Sequence, residues 1–301
     1  MTVFLHPASA RQGLGKAVGC AVFAMISIQL AAALSRPLVA EIGVPAVTWI
    51  RMAAAAAVLL LVTRPHLRGL PRRAILAALM LGAALAVLSA AYFAAASRLP
   101  LGLVATIAFL GPLTVAVVGA KGWVPIAMAL LAGLGVLLLL WPFSATPNSG
   151  WAADPLGLAF AATSAVALAL YIVLTRRVGM VFKGTDGTTI SICTAAIFLT
   201  PFGLAGLDQM PALTVVAGSA GLAVLAPLLT CLMELAALRK LGTRCFSILI
   251  SLEPAIAASL GFVILQEVPS PLQALGMACV VSASVAAVRH ALPATSPAFT
   301  T

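Results

Sequence analysis

Glu253 lies in an almost unbroken apolar run, ISLEPAIAASLGF, where an ionisable group needs a chemical reason. It falls ten residues into the stretch 243–265, about 15 Å along a helix at ~1.5 Å per residue. That is near the middle of a ~30 Å hydrocarbon core. An unpaired acid there costs about 2.5–3.5 kcal/mol or more, so it must face a cavity or a partner. It can meet a substrate ammonium group or carry a proton. Equally, it can cap backbone amides exposed by Pro254 or pair with an arginine to hold the fold. Glu234 lies nearer the end of its apolar stretch and can reach the interface as well as serve a buried site. Arg51 sits about 10 Å from the end of the stretch 44–63. It can bind a substrate carboxylate, pair with Glu253, or snorkel to the interface; pairing or snorkelling is the expected role. Pro112 and Pro254 each remove an amide donor and crowd the preceding turn, so each breaks or kinks its helix. Ser27 and Gln29 interrupt another apolar stretch with polar groups. Tyr92, Phe109 and Tyr171 either line a cavity around an organic substrate or simply pack.

The elements that carry these residues are membrane helices. The chain is 63% hydrophobic and 8% charged over 301 residues, with a mean hydropathy of +1.17. A soluble domain of this size cannot hide that much apolar surface, so lipid is the solvent. Ten stretches are long enough to span: 17–35, 44–63, 74–96, 100–119, 124–141, 155–175, 187–204, 213–238, 243–265 and 270–288. Lipid-exposed backbone must satisfy its own hydrogen bonds, and the short alternating strands of a barrel are absent, so the spans are helices. The first is too long for a signal peptide, lacks a small-residue cleavage site after it, and is read as retained.

The net charge of +10 invites a nucleic-acid reading, but its placement argues against one. With ten spans and the N-terminus inside, 14 of the 17 basic residues fall in cytoplasmic segments, the positive-inside pattern of an inner-membrane protein with both termini cytoplasmic. The five cysteines lie in or at the ends of apolar stretches with no CxxC pair, and the three histidines sit in loops or tails. No metal site, histidine proton relay or cofactor is expected.

Two segments 142 positions apart read alike without a gap: Phe93 to Gly119 and Leu235 to Gly261. Seven positions are identical, among them Leu110/Leu252, Pro112/Pro254 and Gly119/Gly261. Leu-Ala-Gly at 131–133 likewise resembles Ala-Leu-Gly at 274–276. The turn-rich run PFSATPNSGWAAD separates the copies. The expected organisation is a first five-helix repeat over 1–141, a linker at 142–154, a second repeat over 155–290 and a disordered tail at 291–301. An odd number of spans per repeat makes the copies enter from opposite sides. The expected fold is an all-α membrane protein of ten helices, built as two inverted repeats around a central cavity, with its site at mid-membrane.

These residues resemble the drug/metabolite transporter superfamily, EamA type. Its threonine/homoserine exporter branch is similar in several passages: Ser27-Ile28-Gln29; Val47-Thr48-Trp49-Ile50-Arg51; Leu99-Pro100-Leu101-Gly102 with Phe109-Leu110-Gly111-Pro112; Leu232-Met233-Glu234-Leu235; and Thr243-Arg244 with Ser251-Leu252-Glu253-Pro254. The branch can carry an acid just before its Phe-x-Gly-Pro; here that position is Ala108. The resemblance implies an inner-membrane exporter of amino acids driven by an ion gradient, with a small amino acid and the lipid bilayer as partners. The absence of a GxxxxGK[ST] loop agrees that ATP is not the driver. Another EamA-type cargo, such as an aromatic amino acid, a drug or a nucleotide-related metabolite, is the nearest alternative. A non-transporting membrane scaffold would need large soluble loops, and the ten-span reading leaves none. An intramembrane enzyme would need a motif such as HExxH or GxSxG, and neither occurs.

Overall fold

The computed structural model describes residues 7–65, 71–118, 123–140, 154–182, 185–207, 211–231, 233–234, 237 and 249–291. Nearly all of the expected linker and tail, and residues 241–248 of the second repeat, lie outside these. Among the described residues there are helices and no strands. In chain order they are α1 (Pro7–Thr63), α2 (Arg72–Ala96), α3 (Leu101–Ala108), α4 (Leu110–Val118), α5 (Trp123–Leu140), α6 (Pro155–Val181), α7 (Asp186–Ala205) and α8 (Leu213–Ala223). A π-helical stretch, Val224–Leu229, continues α8; α9 (Glu253–Leu265) and α10 (Pro271–Ala291) follow.

Among the described residues, four stretches are long and apolar enough to cross a membrane: Gly15–Thr63, Arg72–Ala96, Pro155–Val181 and Asp186–Ala205. The other apolar helices are shorter, Leu101–Val115, Ile126–Leu139, Leu213–Leu229, Glu253–Leu265 and Pro271–Ala283. The difference from ten uniform spans has local causes. The stretches 17–35 and 44–63 share α1, which is interrupted at Gly43, φ 78° and ψ 161°, a conformation that glycine adopts without a Cβ penalty. Pro37 and Pro201 stay inside α1 and α7, but at three other prolines the helix breaks at a fixed offset. A proline cannot bond the carbonyl four residues back and its ring crowds that carbonyl. Accordingly α3 ends at Ala108, four before Pro112, and α8 ends at Ala223, four before Pro227. The turn before α9 begins just after Ile250, four before Pro254. The break at Pro227 was not foreseen in the stretch 213–238. Within it, Ala226 leaves the helical region altogether, at φ −145° and ψ 125°.

The helices pack across the middle of the chain. The most extensive interfaces join α2 with α6, α5 with α10, α1 with α7, α2 with α7, and α1 with α8. Residues 44–63 of α1 run antiparallel to α7, because Trp49 Nε1 donates to Thr200 Oγ1 (3.0 Å) while Thr63 meets Thr189 (3.0 Å). Close approach of α5 and α10 depends on glycine: a Cβ on Gly135 would lie 2.7 Å from the Gly276 carbonyl oxygen, and one on Gly276 2.6 Å from that of Gly135. α6 starts cleanly, with Asp154 Oδ1 accepting from Leu156 N at 3.0 Å and Pro155 in the first turn.

The exterior is apolar. Leu61, Val62, Val166, Ile197 and Leu213 are each 72–82% exposed, whereas Gln29, Thr106 and Arg51 are almost wholly buried. Polar groups inside and bare aliphatic side chains outside are what lipid as solvent demands.

Candidate functional site

Glu253 is the first residue of α9, and Pro254 follows it in the first turn, where its missing N–H costs nothing. The helix interruption therefore puts a carboxylate at the positive end of a helix. Gln29 of α1, fully buried, donates from Nε2 to Glu253 Oε1 at 3.1 Å. Tyr92 of α2 donates its hydroxyl to Gln29 Oε1 at 2.7 Å. Three elements distant in sequence thus meet in one relay, Tyr92 to Gln29 to Glu253. Glu234 is partly buried beyond the π-helical stretch.

Ser27, two residues before Gln29, donates to the Leu225 carbonyl at 2.8 Å, and Thr230 donates to the same oxygen at 3.1 Å. That carbonyl lies beside the Ala226 break. Ser27 so ties α1 to the unwound segment rather than standing free in a cavity. Phe109, 3% exposed, fills the turn between α3 and α4. Tyr171 of α6 packs against the Ala74, Ala78 and Leu174 cluster.

Arg51 does not pair with Glu253 and does not snorkel. It is 1% exposed, and among the described residues it has no ion pair. Its Nη2 donates to Ser89 Oγ at 3.0 Å, and the guanidinium carbon lies 3.5 Å from the centre of the Phe93 ring. Nε and Nη1 have no partner. Cation–π attraction and one hydroxyl take the place of the expected carboxylate. The sequence reading missed Ser89 and Phe93; a serine three residues before Tyr92 in an alanine-rich helix was the available signal.

The sequence reading also gave no role to Arg36 and Glu267. Arg36 Nη2 meets Glu267 Oε1 at 2.6 Å and also donates to the Leu99 carbonyl at 2.8 Å, while its Nε donates to that of Ala96 at 2.9 Å. Glu267 Oε2 accepts from Leu101 N at 2.8 Å. This cluster fastens α1, the α2–α3 turn and the end of α9 together. A cavity of about 830 Å³ opens beside it, bounded by residues 36–45, α2, α6 and α7, with Phe160, Phe198 and Phe202 in its wall. None of the residues singled out from sequence lines that cavity.

Comparison with known proteins agrees with this architecture. The EamA-like transporter family matches residues 155–289. A threonine/homoserine exporter, RhtA, of Escherichia coli (strain K12) is 30% identical over 263 residues, 87% of this chain and 88% of that protein. RhtA of Salmonella typhimurium (strain LT2) is 30% identical over 266 residues, 88% of each. A crystal structure of a protein 17% identical superposes with a TM-score of 0.53 over 94% of this chain and 98% of that one, a likeness of fold alone. The chain belongs to the EamA-like transporter family. It is a multi-pass membrane protein, and its relatives support an exporter of amino acids or related metabolites.

Proposed function

We propose that this protein is an inner-membrane secondary transporter that exports small neutral amino acids of the threonine and homoserine kind, coupled to protons, by alternating access. The observation that carries the reading is Glu253 at a helix interruption, held by Gln29 from α1 and, through it, by Tyr92 from α2. One carboxylate oxygen can accept the Gln29 amide, a substrate ammonium or a proton. Ammonium and proton compete for it, and that competition exchanges one for the other across the membrane. Glu234, partly buried beyond the π-helical stretch, is the second carboxylate on the proton's route.

The architecture proposed is ten spans in two inverted repeats, 1–141 and 155–290, with both termini cytoplasmic. Two features support it. Residues 44–63 and α7, which hold equivalent positions in the two repeats, run antiparallel. The interfaces also map onto themselves when the repeats are exchanged: α5 with α10 is its own counterpart, and α2 with α6 corresponds to α1 with α8. Under this topology the Arg36–Glu267 cluster closes the outer side.

The test is a panel of labelled cargoes on purified protein in liposomes with an imposed pH or sodium gradient. Threonine and homoserine should move uphill on the pH gradient. Movement of aromatic amino acids or cationic drugs in their place would reassign the cargo, and a response to sodium alone would reassign the coupling.

A further inference from the structure

Among the described residues, the buried side-chain polar atoms without a partner belong to three residues: Thr48 Oγ1, Arg51 Nε and Nη1, and Ser219 Oγ. Each residue is 0–1% exposed. Buried polar groups are normally satisfied, and each orphan destabilises the protein unless something else pairs with it. All of these atoms can donate a hydrogen bond. Thr48 and Arg51 are three residues apart, on one face of α1. Ser219 lies one turn before Ala223 on α8, and Ala223 packs in one cluster with Met52 and Ala55. Two adjoining faces thus turn unpaired donors, one of them cationic, into the buried interior, and among the described residues no acid forms an ion pair with Arg51.

We infer that Thr48, Arg51 and Ser219 form a receptor for a carboxylate, filled by the carboxylate of the exported amino acid; this rests on the amino-acid reading above. The geometry suits a carboxylate. Phe93 covers a face of the guanidinium and leaves its in-plane N–H edges free. Ser89 takes only one hydrogen of Nη2. Whichever hydrogen that is, a fork of two N–H groups remains open at the side or the end of the cation, the arrangement that binds a carboxylate with two parallel bonds. The hydroxyls of Thr48 and Ser219 supply further donors. Phe93 is preceded by Tyr92, whose ring lies 6.0 Å away and whose hydroxyl leads to Gln29 and Glu253. The cationic and anionic poles of the site therefore flank one aromatic pair. The receptor is sealed in this conformation. The two breaks that can let it open adjoin it: Gly43 precedes Thr48 on α1, and Ala226 follows Ser219 on α8.

The experiment measures displacement of labelled L-threonine from the purified full chain by three competitors: L-threonine, L-threonine amide and N-acetyl-L-threonine. The amide keeps the ammonium and loses the carboxylate charge; the acetyl compound does the reverse. The parent should prefer threonine to its amide by about tenfold or more, the scale of a lost charge-assisted hydrogen bond. Arg51→Gln should bring that ratio close to one while keeping the preference over N-acetylthreonine. Thr48→Val with Ser219→Ala guards against a folding failure at Arg51. It removes orphaned hydroxyls, so the ligand-free protein should melt no lower than the parent, yet the ratio should fall severalfold. Folded variants with the parental ratio would overturn the carboxylate receptor and leave the amino-acid reading standing. A parent that binds no threonine overturns both.

Discussion

Arg36 and Glu267 meet at 2.6 Å, joining α1 to the end of α9 across 231 positions of sequence (36 to 267). The side chains are 28% and 12% exposed, so water screens the pair only in part. Removing either partner also strands hydrogen bonds to Ala96, Leu99 or Leu101. Arg36→Gln and Glu267→Gln should each lower stability by about 1 kcal/mol or more, and the double variant should lose less than their sum. A thermal double-mutant cycle in detergent measures the coupling; strict additivity would mean that the pair holds nothing.

The glycines of α5 are not equivalent. Gly135→Ala and Gly276→Ala put a methyl within 2.7 Å of a facing carbonyl, so α5 and α10 must separate. Overpacking of this kind costs about 1–3 kcal/mol. Gly133 has nothing within 4 Å of an added Cβ. Gly133→Ala should be neutral or stabilising by about 0.5–1 kcal/mol through helix propensity. Melting temperature and folded yield separate the two classes.

Asp154 provides a pH signature outside the membrane helices. The hydrogen bond from Arg98 (2.9 Å), then those from the backbone, hold its carboxyl below the ordinary value. A depressed folded value makes the charged form stabilising at neutral pH, and that contribution disappears as pH falls through the lowered value. Asn caps a helix as well as Asp does, so Asp154→Asn keeps the cap and removes the titration. Melting curves from neutral pH to below the carboxylate range should drop less steeply for Asp154→Asn than for the parent. Parallel curves would show that the pair adds nothing.

Pro112 and Pro254 place their breaks at Phe109 and at Ser251–Leu252. Alanine at either position restores a donor to the carbonyl four residues back and straightens the helix. Transport should then fall further than folded yield. If both alanine variants transport like the parent, the interruptions are incidental kinks.

The sequence made some of this legible, and physics says which part. The offset between a proline and the carbonyl it abandons is local, so the breaks near Pro112 and Pro254 could be read directly; the rule alone does not single out Pro227, because Pro201 obeys the same sequence signal and stays inside α7. Helix number was harder, because Gly43 interrupts α1 without a loop that composition can see. The depth of Glu253 could be estimated from helical rise, but its partner could not, since Gln29 lies 224 positions away. Arg51 misled for a related reason. Its actual partners, Ser89 and Phe93, look like ordinary packing residues in an alanine-rich helix, so an ion pair with Glu253 looked more natural than a stacked cation with open donors.

The central claim is that the Glu253 carboxylate, not merely its shape, couples export to the proton gradient. Glu253→Gln preserves size and can still bond Gln29, so the relay should stay folded. The most direct measurement is threonine transport by the reconstituted variant with and without an imposed pH gradient. The account predicts parental folded yield, loss of uphill transport and no response to the gradient. Transport at the parental rate with unchanged pH dependence would contradict it and leave Glu253 a structural cap.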